Sequence, residues 1–113
     1  MGTKTLGSWR WLAPELLTRF RKHTKQTDVY ALGVILFEIA TLRVPFIDTA
    51  DMDLKEAITA GKRPIFQKDD DLPKQLKQLI KKCWHQNPTM RPTTMGILQE
   101  LSTIKIVSNN NNK

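Results

Sequence analysis

Apolar residues fill nearly every position from Val29 to Ala40, and this run organises the rest of the chain. Val29, Ala31, Leu32, Val34, Ile35, Leu36, Phe37, Ile39 and Ala40 leave almost no polar face at helical spacing. A helix that is apolar all round belongs in an interior. Its β-branched residues would also suit a strand, but the run is long for one. Thr27 is placed to cap the helix, and Asp28 suits its first turn. Pro45 is expected to stop it.

A second strong pattern lies downstream. Leu76, Leu79, Ile80, Cys83 and Trp84 fall at i, i+3, i+4, i+7 and i+8, one helical face opened by Pro73. Lys74, Lys77, Lys81 and Lys82 lie off that stripe and read as a solvated face. Between the two helices, Asp51 to Gly61 reads as a shorter amphipathic helix carrying Leu54, Ala57 and Ile58. Gly61 is placed for the left-handed position after its end. Lys62 to Asp71 reads as a polar loop, and Asn87 to Pro92 as another. Thr93 then caps a last helix with Met95, Leu98, Leu101 and Ile104 inward, although Gly96 weakens its start. At the other end, Ala13 to Thr18 can form a short helix with Pro14 in its first turn, after an irregular segment from Met1 to Arg10. No repeat and no strand pattern stands out. The expected fold is all-α, four to five helices around a buried central helix. One domain is expected over residues 1–107, with an Asn-rich tail over 108–113 that has nothing to bury and is expected to be disordered.

Charge and cysteine content narrow the function classes. The formal charge is +7, but the basic residues are scattered, with Arg19, Arg21, Lys22 and Lys25 in one place and the lysines of 74–82 in another. No aromatic stacking pattern interleaves with them, so nucleic-acid binding is not expected. The single cysteine, Cys83, allows no intramolecular disulfide and suits a reducing intracellular compartment, most simply the cytoplasm. His23 and His85 lack spaced partners for a metal, and the Asp69–Asp71 run reads as solvated charge. Met1 to Leu12 has no continuous apolar run, so no signal peptide is expected, and no stretch is long enough for a membrane span.

Four stretches carry a resemblance. Gly7-Ser8-Trp9-Arg10-Trp11-Leu12-Ala13-Pro14-Glu15 resembles the end of a protein kinase activation segment. Asp28-Val29-Tyr30-Ala31-Leu32-Gly33-Val34 is similar to the start of the long buried helix of the kinase large lobe. Arg43-Val44-Pro45-Phe46, followed by Gly61-Lys62-Arg63-Pro64, is the third. Cys83-Trp84-His85-Gln86-Asn87-Pro88-Thr89-Met90-Arg91-Pro92-Thr93 is the fourth. In this order they identify residues 5 to 105 as resembling the C-terminal part of a eukaryotic protein kinase domain. The details suit the tyrosine-kinase-like group of Ser/Thr kinases.

The resemblance implies roles for particular residues. Ser8, Trp11 and Pro14 would belong to the loop that receives the substrate, with the Ser8 hydroxyl helping to position the acceptor. Glu15 and Arg91 would form a structural clamp between the activation-segment end and the loop before the last helix, because the Arg fork matches a carboxylate. Asp28 would accept hydrogen bonds from the catalytic loop, while Gly33 and Trp84 would be structural.

Phosphoryl transfer needs a Gly-rich loop, a strand Lys, a catalytic-loop Asp and an Asp holding Mg²⁺. The 113 residues contain no G-x-G-x-x-G, no V-A-I-K-like strand, no H-R-D and no D-F-G. The expectation is a truncated kinase-like chain, inactive as it stands, with no catalytic residue and no cofactor of its own. ATP and Mg²⁺ belong to a complete family member, whose activity would be Ser/Thr phosphorylation in signalling. The alternative is a non-catalytic interaction module, docking through the helix from Asp51 and the loop to Asp71. A protein partner or a chaperone is expected for apolar surface left uncovered, and the sequence does not fix an oligomeric state.

Overall fold

Thr24, rather than Thr27, caps the central helix. The computed structural model describes residues 6–18 and 22–104, with the backbone alone at 6–8. Helix α1 spans Lys25–Thr41. Thr24 Oγ1 accepts from the Thr27 N–H at 3.3 Å, while Thr27 Oγ1 accepts from the Thr24 N–H at 3.1 Å. This reciprocal pair satisfies two free donors at once and sets Thr27 inside the first turn, where it is buried. The far end stops before Pro45 can act. Leu42 turns left-handed at φ 59°, and its N–H donates to Glu38 O at 2.8 Å.

Helix α3 (Lys74–Cys83) packs across α1. Its apolar stripe is where the periodicity put it: Leu79, Ile80, Cys83 and Trp84 are buried and Leu76 is half-buried. Gly33 makes the close approach possible. A Cβ there would lie 2.6 Å from Cys83 Cβ and 3.3 Å from Ile80 O. Tyr30, Val34 and Phe37 of α1 join Ile80, Trp84 and Ala13 in the main cluster. Phe66 closes that cluster with its ring centroid 5.1 Å from that of Phe37, edge to face.

The opposite side of α1 is not covered. At about 100° per residue, Ile35, Ile39 and Leu42 fall away from the Tyr30–Val34–Phe37 face. They are 41%, 65% and 89% exposed. Among the described residues, the expected all-round burial of the central helix therefore holds on one side only.

The smaller elements follow from local rules. A 3-10 turn, Asp51–Asp53, leads into α2 (Leu54–Thr59), which buries Leu54 and Ile58 beside Leu17 and Phe46. Gly61 takes φ +99° as expected. Its N–H donates to Ile58 O at 3.0 Å and that of Lys62 to Ala57 O at 2.9 Å, a Schellman ending. Helix α4 (Thr94–Thr103) starts at the expected cap, with Thr93 Oγ1 accepting from the Gly96 N–H at 3.0 Å. Its inward face keeps Leu101 and Ile104 of the expected set but not Met95 and Leu98. Ile97 is buried and Leu101 and Ile104 half-buried, packed against Val29, Leu79 and Cys83, whereas Met95 and Leu98 face outward. Steps of three residues lose about 60° each, so a Met95–Leu98–Leu101–Ile104 series winds halfway round the helix, while the 97, 101, 104 spacing holds one face.

Leu6–Trp11 forms a 3-10 helix where irregular chain was expected, and Pro14–Leu17 forms another within the expected short helix. A further 3-10 turn, Pro88–Met90, sits inside the expected loop. The predicted domain limit at 107 and the Asn tail lie outside the described residues, as do Arg19 and Arg21. Among the described residues the fold is four α-helices joined by these 3-10 turns, with no strand.

Substituting Gly33 should separate α1 from α3. Gly33→Val is expected to lower stability by about 1–3 kcal/mol in a urea melt through overpacking against Cys83. An unchanged midpoint would show that the helices have room to shift.

Candidate functional site

The capped start of α1 is also where distant parts of the chain meet. Arg91 follows the Pro88–Met90 turn in extended conformation. Asn87 caps that turn, its Oδ1 accepting from the Thr89 N–H at 3.0 Å. This arrangement delivers the Arg91 side chain inward, where it is 0% exposed. Arg91 Nη1 donates to Glu15 Oε2 at 2.7 Å and Nη2 to Glu15 Oε1 at 3.0 Å, a two-pronged pair across 76 positions. The same guanidinium donates to Gln26 O at 2.9 Å and, through Nε, to His85 O at 2.8 Å. Glu15 Oε2 also accepts from Thr27 Oγ1 at 3.1 Å. One buried cation thus ties the Pro14–Leu17 turn, the first turn of α1 and the chain after α3.

Burial pushes the Glu15 carboxyl up, but the Arg91 hydrogen bonds and charge, with the Thr27 hydroxyl, outweigh it. The net result lies below its ordinary value.

Tyr30 stands beside the clamp, with two guanidiniums over its ring. Arg91 Cζ lies 5.1 Å from the ring centroid and Arg63 Cζ 5.0 Å. Arg63 has no carboxylate in hydrogen-bond reach among the described residues. It donates instead to Trp84 O at 2.7 Å, Ile58 O at 3.2 Å and the Gln86 side chain. Burial lowers its pKa, and the nearby Arg91 charge adds to that while Tyr30 and Glu15 oppose it. The Tyr30 hydroxyl is buried without a hydrogen-bond partner among the described residues. Burial pushes its pKa up to about 12, although both guanidiniums pull the other way. Sequence reasoning assigned no role to Tyr30 or Arg63. The Arg63-Pro64 pair was visible, but nothing in its spacing marked an Arg whose partners are carbonyls and a ring.

The other expected residues are placed as follows. Trp11 Nε1 donates to Glu38 Oε1 at 3.1 Å, fixing the Leu6–Trp11 turn to the last turn of α1. Arg10, which sequence reasoning passed over, pins that turn to the loop after α1. It donates to Pro45 O at 2.9 Å, Phe46 O at 2.7 Å and Asp51 Oδ1 at 2.7 Å. Pro14 is buried, and the Ser8 side chain lies outside the described residues. Trp84 is core, as expected from the stripe. Asp28 is exposed in the first turn of α1, 3.1 Å from His23 Nε2, and is not part of the clamp. Asp70 of the acidic run pairs with Arg43 through two 2.7 Å bonds. That contact, with the Gln67 N–H, holds its carboxyl at about 2. Among the described residues no group of three His, Cys, Asp or Glu side chains could hold a metal ion.

An open cleft of about 180 Å³ lies next to the clamp, lined by Pro14, Glu15, Thr18, Thr59, Gln86 and Pro88. The clamp groups are spent on one another, so the site's chemistry is positional. It fixes the segment from Trp9 to Leu17 against α1.

Comparison with known proteins bears on this arrangement. Residues 1–101 match the family model described as protein tyrosine and serine/threonine kinase. The chain is 35% identical to RGS domain-containing serine/threonine-protein kinase A of Dictyostelium discoideum, over 90% of this chain and 9% of that protein. It is 37% identical to serine/threonine-protein kinase 12 of Arabidopsis thaliana, over 86% of this chain and 21% of that protein. It is 38% identical to dual specificity protein kinase shkA of Dictyostelium discoideum, over 88% of this chain and 19% of that protein. The chain therefore spans less than a quarter of the length of these relatives.

The clamp predicts a stability profile with two limbs. The lowered Glu15 pKa gives stability that is present above the unfolded value, near 4.5, and is lost as pH falls through the folded value. The raised Tyr30 pKa gives stability that is present below pH 10 and is lost as pH rises towards about 12. Urea melts across pH should show both limbs. Glu15→Gln should flatten the acid limb. Tyr30→Phe should flatten the alkaline one and raise neutral-pH stability by about 0.5–1 kcal/mol, because it removes a buried unpaired hydroxyl. A loss on Tyr30→Phe would mean that the hydroxyl has a partner in solution.

Proposed function

We propose, starting from the fact that the chain belongs to the protein tyrosine and serine/threonine kinase family, that its residues supply the acceptor-side scaffold of a Ser/Thr kinase large lobe and transfer no phosphate by themselves. The observation that carries this reading is the Glu15–Arg91 pair. It holds the Trp9–Leu17 segment in place with contacts drawn from these residues alone. Trp11 and Pro14, fixed by Glu38 and by burial, would present the acceptor-side loop together with Ser8. Transfer would need a phosphate cradle, a catalytic Asp and a Mg²⁺-holding Asp, and these 113 residues carry none of the corresponding motifs. ATP and Mg²⁺ would be bound by other segments of a complete kinase. No helix among the described residues is long and apolar enough to cross a membrane. Membership of the kinase family is what favours work inside the cell.

The reading is tested by incubating the purified chain with Mg²⁺, radiolabelled ATP and a basic protein acceptor. Incorporation should match that of a heat-denatured sample. Incorporation above that level, scaling with the amount of chain, would overturn it.

The exposed Ile35–Ile39–Leu42 stripe favours a second reading, an interaction module whose apolar side is covered by a protein partner. On this reading the isolated chain binds a hydrophobic dye and self-associates in light scattering. A clean monomer that binds no dye would remove it.

A further inference from the structure

The lysines of α3 are not equivalent. Lys82 Nζ pairs with Glu100 at 2.8 Å. Lys74, Lys77 and Lys81 share a different ridge of the helix, at i, i+3 and i+7, and none has a carboxylate in ion-pair reach among the described residues. Lys74 and Lys81 are exposed and Lys77 half-buried. Two of these ammoniums are gathered rather than splayed. Lys77 Nζ lies 5.8 Å and Lys81 Nζ 5.9 Å from the centroid of one ring, Phe66. That ring is itself held by Phe37 and, at 6.2 Å between centroids, by Trp84. The aromatic face attracts each cation, while the two cations repel each other. Asp70 is bonded to Arg43, and of the three lysines only Lys77 is close enough for its charge to act on that carboxylate.

We propose that this ridge of Lys74, Lys77 and Lys81, organised by Phe66, is a docking surface for an acidic peptide segment of a partner protein. With a rise of 1.5 Å per residue, the three lysines are spaced about 4.5 and about 6 Å along the helix. An extended peptide places alternate side chains about 6.6 Å apart on one side, so Asp or Glu at alternate positions meets the ridge. The occupant's shape follows from the flanks. Asp69 and Asp71 are exposed just before the helix and Glu100 borders Lys82, so a broad anionic surface would meet repulsion that a single strand avoids. Nucleic acid would want an open ring for stacking, and the lysines occupy the face of Phe66.

The test is fluorescence anisotropy on the full 113-residue chain with a fluorescein-labelled peptide of alternating Glu and Ser, and a Gln/Ser peptide as control. Binding should require Glu and weaken as salt rises from about 50 to about 300 mM. The variant with Lys74, Lys77 and Lys81 all changed to Gln should bind about tenfold or more weakly. A control with Lys25, Lys55 and Lys62 changed to Gln removes the same charge elsewhere and should stay within about threefold. Phe66→Leu keeps an apolar group in the core but removes the ring face, and should weaken binding severalfold while helical circular dichroism is preserved. Equal losses in the two triple variants would overturn the proposal, because net charge alone would then explain the binding. So would equal binding of the Gln/Ser peptide, or tighter binding to phosphatidylserine vesicles or to single-stranded DNA than to the Glu peptide.

Discussion

A guanidinium with no contact to solvent must be neutralised and hydrogen-bonded where it sits, and the arrangement of this chain turns on meeting that demand at Arg91. Its carboxylate comes from Glu15, 76 positions away, and its remaining donors go to the backbone at Gln26 and His85. Each partner is in turn held by something local. Glu15 sits in a turn begun by Pro14, Gln26 lies in the first turn of a helix closed by a threonine capping box, and His85 follows α3 directly. Removing Glu15 leaves the buried Arg91 without a counterion, and removing Arg91 leaves a half-buried carboxylate unpaired, so the pair specifies one arrangement of three segments even if its net contribution to stability is modest.

The Tyr30 ring extends this constraint. It takes one guanidinium from the clamp and a second from Arg63, whose own donors bind Trp84 O and the Gln86 side chain. The chain after α3 is therefore gripped twice, by Arg91 at His85 and by Arg63 on either side of it. The one carboxylate bonds Arg91, while carbonyls, an amide side chain and an aromatic face hold the half-buried Arg63. On the proposed reading, this corner would hold the acceptor-side segment in place through groups that do no chemistry themselves.

Much of this was legible in the sequence, and the failures have physical causes. The α3 stripe was clear because Leu76 to Trp84 keeps strict helical spacing against an otherwise polar segment. Gly61 and Thr93 were legible because a left-handed ending and an N-cap each have a preferred residue. The Glu15–Arg91 pair came from the family resemblance, and no local pattern contains it. The start of α1 was misread because Thr24 and Thr27 both suit a cap, and only their reciprocal bonds select the first. Its end was assigned to Pro45 because Leu42 adopts a conformation more often left to glycine. The α4 face failed because Met95 and Leu98 are as apolar as Ile97 and Leu101, and composition does not distinguish the sides of so short a helix. The uncovered side of α1 could be foreseen only from what the chain lacks.

A double-mutant cycle on Glu15→Ala and Arg91→Ala, read by urea unfolding near neutral pH, tests the central claim most directly. If the buried pair holds the three segments together, each single substitution costs about 3 kcal/mol or more, the double substitution costs much less than their sum, and the coupling exceeds about 2 kcal/mol. Single losses below about 0.5 kcal/mol that simply add would mark an ordinary exposed pair and contradict the account.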